Sequence, residues 1–259
     1  MSRSCLLIGF IFSTLSPTQA DETEDLLRYY ETFDHEKIEK SIKSFLTAKT
    51  VEEKIRYVRD PKRVGPLMKA YYGKVAYQPE GFEGLNKNQV SYRDRIAILG
   101  VTTGDFLDYT INVRSTFKNG NETYPVDWES WVGYGEKTPE EMKKEKPATP
   151  FLVRAFIEKS NYYNYEFTDD TKWKSMKVLI GNSREPFTGY LPRDSNLLHK
   201  LRPDDDSSIK VILKVAYPKN ARSDGQILIT EVISSNSWML EPEEKAPSTP
   251  GKKDKPLHR

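Results

Sequence analysis

Near Gly73 the apolar residues change period, and that switch divides the chain into a helical part and a sheet-forming part. Before it, Ile38, Ile42, Phe45 and Leu46 recur at the spacing of one helix face. Asp34 is placed to cap that helix. Thr50 followed by Glu53 reads as a capping box for a short second helix that carries Val51, Ile55 and Val58 and stops before Pro61. Pro66 is expected to open a third helix, with Leu67, Met68, Tyr71 and Tyr72, ending at Gly73. Glu36–Lys40 and Glu39–Lys43 are acid-first pairs four apart, each worth about 0.2–0.5 kcal/mol. These apolar stripes are narrow. They suit a charged helical lead over residues 21–72 that docks on something, rather than an independent core.

After Gly73 the pattern alternates. Residues 95–105 and 106–119 are strand-like, with Leu107, Tyr109, Ile111, Val113 and Phe117 on one face and a turn at Asn119-Gly120. Tyr124, Val126 and Trp128 alternate again, leading to Trp131. Residues 136–150 carry three prolines among many charges and are expected to form a surface connection with at most one helical turn. Further strands are expected at 151–158, 173–180, 209–217 and 226–234, and Asp194 or Ser195 can cap a helix through Leu197, Leu198 and Leu201. Few β-α-β crossovers are visible. The expected class is therefore α+β: N-terminal helices, then a curved, mainly antiparallel sheet packed with helices over 73–240. Residues 241–259, rich in proline and charge, are expected to be a disordered tail.

The first twenty residues, MSRSCLLIGFIFSTLSPTQA, have the order of a secretory signal: Arg3, an apolar run from Cys5 to Phe12, and small residues before a cut after Ala20. Export to the periplasm, cell envelope or outside is the expectation. The run is too short to span a bilayer as a helix, and no transmembrane span is expected in the mature chain. Cys5 is the chain's one cysteine, so removal of the leader would give a cysteine-free mature chain without thiol or disulfide chemistry. The 40 basic and 38 acidic side chains leave a net charge of +2. That balance supplies no general field for nucleic acid, and no nucleic-acid partner is expected.

Few groups suit proton transfer. The three histidines, His35, His199 and His258, are scattered. Ser195 and His199 are four apart, but no nucleophile elbow or oxyanion loop accompanies them, and a helix cap with a surface histidine accounts for the spacing. Asp169-Asp170 and Asp204-Asp205-Asp206 lack the alternating ligand spacing of a calcium loop and read as turn aspartates. No glycine-rich phosphate loop is present. No catalytic residue, metal site or cofactor is assigned on these grounds.

The densest unusual feature is Asn161-Tyr162-Tyr163-Asn164-Tyr165-Glu166-Phe167, followed by Asp169, Asp170 and Trp173. On a strand, Tyr163, Tyr165 and Phe167 would share one face. Rings with flanking amides and carboxylates can grip sugars or peptides, and cross-strand packing is the competing role. Tyr162, Tyr163, Tyr165, Phe167 and Trp173 are the candidate ligand-binding residues. A weaker aromatic group occurs at Trp128, Trp131 and Tyr134.

The run FLTAKTVEEKIRYVRDP (45–61), continuing to Arg63-Val64, Pro66-Leu67-Met68 and Tyr71-Tyr72, resembles a stretch in exported bacterial proteins of the planctomycete and verrucomicrobial type. Tyr162 to Trp173 and Gly189-Tyr190 resemble that family too. The resemblance implies an NTF2-like or cystatin-like α+β domain behind a helical lead, and carries no established activity. The expected function is a non-catalytic binding or interaction protein of the cell envelope, with a protein or glycan partner. One alternative is an enzyme using a buried Asp or Tyr, for which Asp127 is the candidate base. Another is an assembly protein docking through its N-terminal helices.

Overall fold

The computed structural model describes residues 33–74, 81–93, 95–118, 120–181, 183, 185–202 and 207–240. The expected leader, the first part of the helical lead and the expected tail lie outside them. The chain itself contains one cysteine, Cys5. The expectation of a cysteine-free mature chain is therefore corrected to a narrower statement: the described residues contain none. None of their helices is long and apolar enough to cross a membrane.

The chain divides into two compact units, one ending at Tyr134 and the other starting at Gly135. The sequence boundary at Gly73 is a change of period inside the first unit. The reason lies in the core: the helices bury their stripe against the first sheet, so neither part is closed without the other.

In the first unit, α1 (His35–Thr47) is capped by Asp34, whose carboxylate accepts from Lys37 N. Its four stripe residues, Ile38, Ile42, Phe45 and Leu46, are fully buried. Helix α2 (Val51–Lys54) starts at Thr50, whose side chain accepts from Glu53 N. The Glu53 carboxylate reaches back to Lys49 N rather than to Thr50, so the box closes one residue early. A 3-10 turn (Ile55–Tyr57) follows. Helix α3 spans Pro61–Lys74 and holds Pro66 inside it, where Pro66 was expected to open it. Pro61 has no N–H to leave unpaired at a first helical position, and Pro66 costs one bond near the start.

Strands β1 (Gly84–Arg93), β2 (Ile96–Thr102) and β3 (Asp108–Arg114) form an antiparallel meander. Strands β4 (Thr116–Lys118) and β5 (Asn121–Thr123) pair as a hairpin across Gly120, which has φ +77. Ile111 and Val113 are buried as expected, but Leu107, Tyr109 and Phe117 from the same expected face are exposed. The period was right, and the cover over that face is shorter than the run. Trp128 begins a one-turn helix, α4 (Trp128–Trp131), capped by Asp127.

In the second unit, α5 (Pro139–Glu145) opens with a complete capping box between Thr138 and Glu141. It replaces the surface connection expected there, because Pro139 stands at the one helical position that suits proline. Strands β6 (Phe151–Lys159), β7 (Trp173–Ile180), β8 (Phe187–Pro192), β9 (Ile209–Ala216) and β10 (Gln226–Ser235) close into a barrel. Going round it, β6, β7 and β8 are consecutive and antiparallel. Strand β10 then pairs parallel with β8, and β9 lies between β10 and β6. The interior is filled by Val153, Ile157, Val178, Phe187, Leu213 and Ile229 with their neighbours. Gly189 sits at a close approach, where an added Cβ would lie 2.8 Å from Val178 Cγ2 and 2.9 Å from Ile229 Cδ1.

The α+β class thus holds in its coarse form, with N-terminal helices followed by sheets and further helices. The single curved, mainly antiparallel sheet expected from the sequence is instead a meander, a hairpin and a closed five-stranded barrel.

Candidate functional site

The aromatic run does not continue a strand. After β6 ends at Lys159 the chain leaves the sheet, and Tyr165–Phe167 form a 3-10 turn with Tyr165 at φ +51. The expected shared face of Tyr163, Tyr165 and Phe167 is corrected accordingly: a turn sends successive side chains in different directions, whereas a strand would align alternate ones.

What holds the segment is the outer face of the barrel. Val178 and Gly189 face inward, so Ser175 on β7 and Tyr190 on β8 face out by alternation. Ser175 Oγ donates to the Ser160 carbonyl at 2.9 Å, and Tyr190 Oη donates to the Tyr162 carbonyl at 3.0 Å. Phe167, 2 % exposed, stacks on Tyr190 with centroids 4.0 Å apart and planes at 8°. Trp173 meets Phe167 edge-on at 4.9 Å, and Tyr163 lies 6.5 Å from Tyr190. Burial pushes the Tyr190 hydroxyl up to about 12, which keeps it a donor at neutral pH.

The five candidate residues therefore separate by role. Phe167, Trp173 and Tyr163 fasten the segment to the barrel. Tyr162 and Tyr165 present rings that are about half exposed, at 53 % and 50 %.

Three polar residues complete the place. Gln226, buried at the start of β10, donates from Nε2 to Tyr190 Oη at 3.1 Å and to Asn164 Oδ1. Asn164 in turn donates to Tyr162 Oη at 2.5 Å. From the β9–β10 connection, Arg222 Nε lies 3.5 Å from Glu166 Oε1, with the arginine side chain largely exposed. Three acceptor atoms in this one contact are sealed from solvent and receive no hydrogen bond within the protein: both carboxylate oxygens of Glu166 and Oε1 of Gln226. Buried acceptors of this kind call for a donor.

Asn164 and Glu166 lay within the run that the sequence singled out. Gln226 and Arg222 carried no local signal and arrive here through the barrel's strand order.

Other sequence candidates have different fates. Asp127, the candidate base, is buried with both oxygens engaged: Oδ1 accepts from Ser130 N at 2.9 Å and Oδ2 from Arg59 at 3.0 Å. It caps α4 and anchors an arginine. Ser195 caps a 3-10 turn by accepting from Leu197 N, and exposed His199 contacts Arg202. Of the weaker aromatic group, Trp128 and Tyr134 pack together in the first unit's core at 5.3 Å, and Trp131 meets Tyr109 at 5.7 Å. No group of three or more His, Cys, Asp or Glu among the described residues is arranged to hold a metal ion.

Comparison with family models, with curated proteins and with solved structures finds no match to this chain. Its site is interpreted from geometry alone.

Proposed function

We propose that this is an envelope-associated binding protein whose barrel unit holds an oligosaccharide against Tyr162 and Tyr165. The observation that carries the reading is the pair of half-exposed tyrosine rings, Tyr162 and Tyr165, with the exposed Arg222 guanidinium at neighbouring Glu166. Sugar hydroxyls are donors, and the faces of sugar rings lie against aromatic side chains.

The strand order supports the same place. Numbered within the barrel, it runs first-second-third-fifth-fourth with a parallel third–fifth pair. This is the arrangement of OB-type barrels, which use the connections after the first and fourth strands to bind oligosaccharides or oligonucleotides. Those connections here carry Tyr162–Glu166 and Arg222. The fold link is an analogy. The OB-type reading takes the place of the NTF2-like or cystatin-like one. Assignment to the envelope rests on the leader pattern in residues 1–20 and on the resemblance to exported bacterial proteins.

Titration calorimetry of the full chain with chitotetraose, cellotetraose and mannotetraose, and with oligothymidylate as counter-probe, tests this. At least one tetraose should bind, and Tyr162→Ala and Tyr165→Ala should each weaken it by about tenfold, the scale of one lost aromatic contact. Binding of none of the three, tighter binding of oligothymidylate, or folded variants that bind like wild type would each reject the reading.

A further inference from the structure

A cavity of about 540 Å³ opens in the first unit between α1, the 56–61 segment and the 122–125 segment. Such a volume lies within the roughly 300–1,000 Å³ usual for small-molecule sites. Its base is apolar and rigid. Val58 and Tyr124 are buried there beside Pro125, and Val58 is bridged to Val126. Ser41 Oγ donates to the Tyr124 carbonyl at 2.7 Å, which ties α1 to the opposite wall. Burial pushes the Tyr124 hydroxyl up to about 12, so this phenol stays neutral and adds no negative charge.

The walls are unbalanced in charge. Lys37, Lys40, Arg56 and Arg59 line the cavity against Asp60 and Glu122. Asp60 is already bonded to Arg63 at 3.0 Å, outside this set. Arg59 is held by Asp127 at 3.0 Å, with its side chain 16 % exposed, so its guanidinium is fixed in direction. Lys37 is held by Asp34 at 2.8 Å. Lys40 and Arg56 are exposed and form no ion pair among the described residues, so the Glu36–Lys40 pair expected from the spacing is not made. With Lys37 and Arg59 offset by Asp34 and Asp127, and Asp60 by Arg63, Lys40 and Arg56 stand against Glu122 and leave one surplus positive charge over the apolar base.

We infer that this cavity binds a small organic anion, a carboxylate or phosphate monoester head carried on an apolar body. The head is drawn by Lys40 and Arg56, and Arg59 supplies the oriented donor. The body lies over Val58, Tyr124 and Pro125. Inorganic phosphate lacks that body, and a neutral alcohol lacks the head. The site lies in the other unit from the proposed oligosaccharide site and stands or falls separately.

The test is calorimetry on the full chain at low salt with octanoate, octyl phosphate, octanol and inorganic phosphate. Octanoate and octyl phosphate should bind at least tenfold more tightly than octanol or inorganic phosphate. The double variant K40Q/R56Q changes only exposed side chains and should lose at least tenfold for both anions. K49Q, exposed but outside the cavity, should change them less than twofold. Because the attracting charges are exposed, 0.2 M salt should weaken binding markedly. Octanol binding as well as octanoate would overturn the inference, as would inorganic phosphate matching octyl phosphate. So would a folded double variant that keeps wild-type affinity.

Discussion

The two units treat their buried carboxylates in opposite ways. In the first, Asp127 and Glu129 are each matched to an arginine, Arg59 and Arg63 respectively, and Asp127 also caps a helix. In the second, Glu166 keeps two sealed oxygens without a hydrogen bond, and its nearest cation is a loosely placed, exposed Arg222. A buried charge that is fully paired explains itself by structure. Glu166, whose cation stands 3.5 Å away on an exposed side chain, is less completely matched than either Asp127 or Glu129. The first unit instead leaves its spare charge on the rim of a cavity, as cations.

The largest effects should come from the cores, and they check whether the units are as separate as their packing implies. The two apolar clusters share no residue. Phe45→Ala removes a fully buried ring that also lies 4.7 Å beneath the Lys54 ammonium. It should cost about 3–5 kcal/mol. Gly189→Ala pushes a methyl into Val178 and Ile229 and should cost about 1–3 kcal/mol by overpacking. Hydrogen exchange followed by mass spectrometry should show Phe45→Ala raising exchange within residues 33–134, and Gly189→Ala raising it within 135–240. Loss of protection in both units from either variant would join what the cores separate.

A smaller effect comes from two tyrosines, one in each unit. Tyr124 and Tyr190 are both pushed by burial up to about 12 from an ordinary value of 10. The unfolded chain gives up these protons near pH 10 and the folded chain holds them to about 12. Their contribution is therefore intact below pH 10 and is lost as pH rises from 10 to 12. Urea midpoints measured across that window should fall for the wild type, and fall less for Tyr124→Phe and for Tyr190→Phe. At pH 7 each variant should lose about 0.5–1.5 kcal/mol, because Tyr124 Oη accepts from Asp34 N and Tyr190 Oη bonds the Tyr162 carbonyl. Equal alkaline sensitivity in variant and wild type would mean that neither phenol is held in its protonated form.

What the sequence made legible follows from how local each signal is. Ile38, Ile42, Phe45 and Leu46 needed only helical spacing, and all four are buried. Strand β7 needed only alternation and spans the expected residues. Strand β1, polar from Asn86 to Gln89, and β8, six residues around Gly189, had no such pattern and were missed. The aromatic run was visible as composition, but its conformation was not. Tyr190 and Gln226 shape it from 28 and 62 or more residues away, and only barrel closure brings them there. The cavity of the first unit was equally hidden. Lys40 and Arg56 look like any solvated charges until the 56–61 segment is bridged to Val126 through Val58.

The smallest expected effect on stability is the one that bears most directly on the comparison. Tyr165 adopts φ +51, a backbone region that costs an L-residue about 1–2 kcal/mol and costs glycine almost nothing. Its ring is half exposed, so little packing is lost with it. Tyr165→Gly should therefore leave stability unchanged or raise it by up to about 1 kcal/mol, less than the full strain because glycine also frees the unfolded chain. If the ring serves a ligand, the same substitution should weaken tetraose binding by at least tenfold while leaving octanoate binding in the first unit intact. A variant that is at least as stable, still binds octanoate and binds sugar at least tenfold more weakly would locate the strain at a working surface. One that loses stability would make Tyr165 a packing residue like Phe167 and remove it from the proposed binding surface.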